Sequence, residues 1–184
     1  MRRTEHDGRW APHPTPAVSL RAVDPADESF LRALFADVRG RMLGDLPLPP
    51  AQAAALVDSQ FHAQASDYRR RFPTSDHRIV VADGVDVGRL WVDRRTEEIR
   101  LLDIAIVDTH RNRGIGTVLI RRLQDEAKAT GRILGHAVDV TNDAGLRFYA
   151  RLGFQVTGRL GDTHWLMGWR QAASGQASRV NTAS

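Results

Sequence analysis

Cysteine is absent from the 184 residues. That removes a disulfide scaffold, a thiolate metal site and a cysteine nucleophile together, and it gives no sign of export. Lysine is nearly absent as well: among the 26 Lys and Arg residues, Lys128 is the one lysine. Arginine stays charged to very high pH, so a formal net charge of only +4 accompanies a sequence pI of about 10.5. The arginines are interspersed with acids rather than gathered in a patch, so no nucleic-acid partner is expected. No apolar run approaches the roughly 20 residues a membrane-spanning helix needs. The opening MRRTEHDGRW lacks the apolar stretch of a secretory signal, so the cytoplasm is the expected compartment, with no membrane partner. The seven histidines are scattered without H-x-x-x-H spacing, and no metal is expected.

What is present is an ordinary globular composition, 42% apolar and 26% charged, which excludes wholesale disorder and suits one domain. Residues 1–17, with three prolines and no periodic apolar pattern, read as a flexible arm, and 172–184 as a flexible tail. The folded part is expected over 18–171. Val18–Val23 reads as a strand, and Asp24-Pro25 as a cap opening a helix with Phe30, Leu31, Leu34, Phe35 and Val38 on one stripe. A second helix is expected over Ala51–Phe72. Gln60 and Gln64, one turn apart on it, are expected to face solvent rather than substrate. Arg78–Ala82 and Val87–Val92 flank a hairpin signal at Asp83-Gly84-Val85-Asp86. Glu98–Val107 is a further strand. Ile115–Thr130 is the clearest helix, lined by Ile115, Leu119, Leu123 and Ala127, with Gln124 on another face and Gly131 as its stop. A strand at Ile133–Val140, a short helix at Asn142–Arg151 and a strand pair at Phe154–Arg159 and His164–Trp169 complete a mixed α/β pattern.

The chemistry concentrates where the strand ending in Ile104-Ala105-Ile106-Val107 turns through Asp108–Arg113 into Gly114-Ile115-Gly116-Thr117 and a helix. A helix N-terminus offers unpaired N–H groups and partial positive charge, so it attracts phosphate. Glycines 114 and 116 let phosphate approach the backbone, while Arg111, Arg113 and Thr117 add donors. A tight structural turn would look the same, but the set favours a diphosphate. A Walker loop would need a lysine after the glycines, and the dinucleotide fingerprint a third glycine or alanine where Leu119 stands.

Arg111-Asn112-Arg113-Gly114-Ile115-Gly116 matches the [RQ]-x-x-G-x-[GA] loop of the GCN5-related N-acetyltransferases (GNAT), which this sequence resembles. Downstream, Asn142, Phe148-Tyr149 and Gly153-Phe154 follow in that family's order. The resemblance implies an α/β fold whose mixed, mostly antiparallel sheet splays between its fourth and fifth strands, flanked by about four helices. It implies that Arg111–Thr117 cradles the pyrophosphate of acetyl-coenzyme A, that Ile104, Ala105 and Ile106 pair with the pantetheine arm, and that Asn142 bonds it. The Ile106 N–H would steady the oxyanion, and Tyr149 would protonate the departing thiolate. The cosubstrate would be acetyl-CoA, the acceptor a small-molecule or peptide amine, and a homodimer is compatible with the family. A packing role for Tyr149, a capping role for Asn142 and a solvated Arg151 are the plainer readings of the same residues.

The base is less legible. Six residues before Ile106, where some relatives carry an acid, stands Arg100. Asp103 is the nearest acid, but strict alternation puts it on the opposite face from Ile104 and Ile106 unless a bulge intervenes, and it could simply pair with an arginine. Glu98, Asp139, His136, His164 and a water chain remain open. An acid-poor site leaves a catalytically silent acyl-CoA-binding module as the alternative. The acceptor would be chosen by the first two helices and the closing hairpin, through acids such as Asp45, Asp58 and Asp67 or through Arg39 and Arg41.

Overall fold

The computed structural model describes residues 16–43 and 48–171. The expected arms at 1–17 and 172–184 lie, but for residues 16 and 17, outside the described residues, as does Asp45; the side chains of Arg39 and Arg41 are likewise outside them. The elements are β1 (Val18–Ala22), α1 (Glu28–Leu43), α2 (Pro50–Arg71), β2 (Asp76–Ala82), β3 (Val85–Arg94), β4 (Glu98–Ile106), α3 (Ile115–Thr130), β5 (Ile133–Asp139), α4 (Asp143–Arg151), β6 (Gln155–Leu160) and β7 (His164–Trp169). The seven strands are hydrogen-bonded in the order β1-β2-β3-β4-β5-β7-β6. β1–β2, β5–β7 and β6–β7 are antiparallel, and β4–β5 is parallel. The parallel ladder registers Glu98–Leu101 against Ile133–His136, although β4 runs on to Ile106 and β5 to Asp139. The mixed, mostly antiparallel sheet with one parallel pair between its fourth and fifth strands is the one expected. No described helix is long and apolar enough to cross a membrane.

Two compact units divide the chain: Met1–Trp91 with Asp103–Leu119, and Val92–Leu102 with Ile120–Ser184. In the first, Asp24 and Asp27 form a capping box over a 3-10 turn at Pro25–Asp27, and α1 follows directly. Leu31, Phe35, Phe61 and Ile79 make a core cluster, so the predicted stripe of α1 is where the pattern put it, packed on Phe61 of α2. The β2–β3 turn is tighter than expected. Asp83 (φ 50°) and Gly84 (φ 82°) are both left-handed, the two-residue form that matches strand twist, and Val85 and Asp86 already belong to β3. Gln60 and Gln64 are half-buried rather than solvent-facing.

β3 is buried without interruption from Val87 to Asp93, as a central strand covered on both faces must be. Trp91 on it donates through Nε1 to Ser75 Oγ (2.8 Å) and lies in an aromatic group with Tyr68 and His77. The His77 imidazole stacks on the indole at 4.0 Å, and its Nε2 is buried with no hydrogen-bond partner among the described residues. Burial first, then the Arg89 charge and more weakly that of Arg69, push its pKa down to about 4, against a smaller upward pull from Asp103 and Asp76. The unfolded imidazole therefore takes its proton first as pH falls. Stability should be full above about pH 6.5 and drain away between there and about 4. Urea melts across that window should show the loss, and His77→Phe should flatten it; an unchanged slope would contradict the assignment.

In the second unit α3 shows its expected apolar stripe, with Leu123 and Ala127 buried, but Gln124 joins it. Gln124 is 3% exposed and donates through Nε2 to the Leu152 carbonyl at 2.7 Å, closing the end of α4. Its expected outward placement is corrected: a buried amide is tolerated once it satisfies a carbonyl that the helix end leaves bare. Gly131 (φ 67°) stops α3, one turn beyond an exposed Lys128.

Candidate functional site

The loop after β4 is built by two left-handed residues. Val107 still donates to the Val87 carbonyl of β3 (2.8 Å), and Asp108–His110 then forms a single 3-10 turn. Asn112 (φ 59°) and Gly114 (φ 82°) reverse the chain; glycine adopts that region freely and asparagine tolerates it. Val118 donates to the Gly114 carbonyl at 3.0 Å, and the amides ahead of it stand in the first turn of α3, where the helical ladder supplies no acceptor. Asn112, Arg113, Gly114 and Thr117 are exposed, and Gly116 is half-buried. Ile115 is 1% exposed, so its side chain anchors the helix while its N–H stays with the turn.

Arg111 does something its sequence position does not disclose. Its Nε donates to the Ile106 carbonyl (2.8 Å), and its guanidinium also lies near Asp108 (3.6 Å) and Asp37 of α1 (3.7 Å). The side chain therefore braces the loop against β4 and α1, which presets the turn. Beside it, Ile104 and Ile106 are half-buried and Ala105 is 9% exposed. Gly88 of β3 lies against them: a Cβ there would be 2.2 Å from the Ala105 carbonyl oxygen.

Asp103 alternates with Ile104 and Ile106, on the parity of the buried Ile99, Leu101 and Ala105. Its Oδ2 accepts from Arg89 Nε, so the expected pairing with an arginine is realised. Arg89 was not apparent as a site residue. The signal for it was present, since a charge inside V-D-V-G-R-L-W-V must find a buried partner. Of the acceptor-side acids, Asp58 pairs with Arg32 and Asp67 with Arg70 and Arg71, whose hydrogen bonds, Arg70's foremost, lower the Asp67 pKa.

The second unit holds Tyr149 and Asn142. Tyr149 is 4% exposed, with its ring 4.8 Å from His136, 5.2 Å from Phe148 and 5.3 Å from Phe154. His136 Nδ1 lies 2.8 Å from the Leu101 carbonyl, the last pair of the β4–β5 ladder. A carbonyl can only accept, so Nδ1 is the donor in this contact. Asn142 is exposed and caps α4, its Oδ1 accepting from Gly145 N at 2.9 Å. Asp139 accepts from the Thr141 amide and hydroxyl, His164 meets Thr163 Oγ1 at 2.9 Å, and Glu98 lies 4.0 Å from Arg100. Among the described residues no group of three or more His, Cys, Asp or Glu is placed to hold a metal ion.

Residues 75–156 match the acetyltransferase (GNAT) domain. An uncharacterized N-acetyltransferase of Bacillus subtilis, CgeE, is 25% identical over 71 residues, which are 39% of this chain and 27% of that protein's length. Among solved structures, the PaiA N-acetyltransferase of Thermoplasma acidophilum in complex with coenzyme A superposes with a TM-score of 0.64 at 14% identity, over 84% of this chain and 99% of that one. An acetyltransferase of Thermus thermophilus does so with a TM-score of 0.62 at 20% identity, over 85% and 98%. These likenesses give the fold, and the matched domain spans β2 to β6, the loop included. Over residues 75–156 the chain is thus similar to the acetyltransferase (GNAT) domain, and the solved structures share its fold.

Proposed function

We propose that the protein transfers an acetyl group from acetyl-CoA to a primary amine by direct attack. The observation that carries this reading is the turn at Asn112 and Gly114, which sets exposed backbone and the first amides of α3 at the end of β4. Those N–H groups, with Arg113 and Thr117, suit a pyrophosphate, and the Arg111 brace holds them in place before it arrives. The backbone of Ile104, Ala105 and Ile106 lies beyond the last β4–β5 pair, which suits it to the pantetheine amides. The Ile106 N–H stabilises the developing oxyanion. Asn142 is exposed enough to reach the pantetheine while capping α4.

Asp103 handles the incoming amine. The protonated nitrogen donates to Oδ1, its proton passes there and on to water, and the freed lone pair attacks the acetyl carbon. As the C–S bond breaks, Tyr149 gives its phenolic proton to the sulfur. No covalent acyl-enzyme forms, in keeping with a chain without cysteine. The acceptor is a small molecule or peptide, and the setting is cytoplasmic.

Incubation with acetyl-CoA and a panel of amines should release free thiol, and coenzyme A alone should raise the melting temperature, by an amount that grows as RT ln(1 + [L]/Kd). The engagement of Asp103 by Arg89 favours a second reading, a catalytically silent acyl-CoA-binding module. It keeps the thermal shift and loses the thiol, so the same two measurements separate the readings. Absence of both would sink them together.

A further inference from the structure

Arg89 carries a charge in the middle of a buried strand, at 3% exposure. Three groups of its own unit surround the guanidinium. Asp103 Oδ2 accepts from Nε, Gln64 Oε1 accepts from Nη2 at 2.6 Å, and the Phe35 ring centroid lies 5.8 Å from Cζ. Its planar fork is thus fixed from α1, α2 and β4 at once, a geometry that a flexible ammonium would not hold. Asp103 is engaged differently. Among the described residues Arg89 alone binds it, through one oxygen, and its side chain keeps 23% exposure against 4% for Arg89. One carboxylate oxygen is committed and the other retains its acceptor capacity.

We propose that Gln64 and Arg89 are positioning residues for acetyl transfer: Gln64 orients the Arg89 fork, and the fork holds the Asp103 carboxylate so that Oδ1 receives the ammonium group of the acceptor. The proposal rests on the acetyltransferase reading above. It gives Gln64 a defined role from a distance, since its amide is bound to Arg89 and acts on the amine only through Asp103. The acceptor must arrive as a cation, and its alignment, rather than its recognition elsewhere along α1 and α2, is what the chain fixes. An acceptor held about 1 Å out of line reacts up to roughly 100-fold more slowly, so loosening the carboxylate should be felt in the chemical step.

The test uses the full chain, acetyl-CoA and an alkylamine that the wild type acetylates, with thiol release as the readout. Gln64→Leu keeps the bulk of the side chain and removes its acceptor. It should lower kcat by about 10- to 100-fold, with the KM for acetyl-CoA and the thermal shift by coenzyme A unchanged. Gln64→Glu, which again offers Arg89 an oxygen at the same reach, should restore most of the loss, which a merely structural role would not require. Asp103→Asn should lower kcat at least as far, and adding Gln64→Leu to it should cost little more, because both act through one carboxylate. Wild-type kcat in Gln64→Leu would overturn the proposal, as would a loss that Gln64→Glu leaves in place. If the wild-type chain releases no thiol with any amine while coenzyme A still stabilises it, the acetyltransferase reading itself has failed, and this proposal with it.

Discussion

Replacing Tyr149 with phenylalanine should lower turnover at saturating amine by about 10²- to 10⁴-fold, the range a positioned general acid supplies. The loss should be confined to turnover. The ring is 4% exposed and touches His136, Phe148 and Phe154 through its carbon faces and edges, all of which phenylalanine keeps. Coenzyme A should therefore still raise the melting temperature of the variant as it does for the wild type, since the loop from Asn112 to Thr117 is untouched. Thiol release measured beside the thermal shift checks both halves. A variant that turns over like the wild type would leave Tyr149 as a packing residue and would move the search for the acid elsewhere.

Gly88→Ala should damage the fold first and the site through it. The added Cβ meets the Ala105 carbonyl oxygen at 2.2 Å and Ile106 Cδ1 at 2.7 Å. The isoleucine can turn aside, but the carbonyl is backbone, so β3 and β4 must separate at the residues proposed to hold the pantetheine. Overpacking a core costs about 1–3 kcal/mol, and a backbone clash belongs at the upper end. At roughly 2–4 °C per kcal/mol for a chain of this size, about 3 kcal/mol lowers Tm by roughly 6–12 °C. Coenzyme A should then stabilise the variant less than the wild type at equal concentration. A fall under about 2 °C would mean that the strands yield at little cost.

Much of this was legible in the residues because local rules governed it. Glycines at 131 and 153 stop α3 and α4 in left-handed conformations, and Asp83-Gly84 makes its hairpin, since each effect is settled within a few residues. The turn through Asn112 and Gly114 into α3 was legible for the same reason. What escaped notice was set by partners far apart along the chain. Gln64 meets Arg89 across 25 positions and Arg89 meets Asp103 across 14, while Gln124 meets Leu152 across 28. Periodicity marks a polar residue as outward unless its partner is known, and no short window contains both. Hence Gln64 and Gln124 read as solvated, and Arg89 carries no local mark of its role inside an apolar strand. The Arg111 brace was hidden differently, because the motif assigns that residue to the loop without saying which way its side chain turns.

The lone lysine at the C-terminal turn of α3 has a practical corollary. A protein proposed to pass acyl groups to amines exposes a single side-chain amine of its own, Lys128, so among its side chains stray acylation has one target. A lysine-directed fluorophore would likewise attach to one side chain at a known point of a helix, which makes the chain well suited to distance measurements by energy transfer.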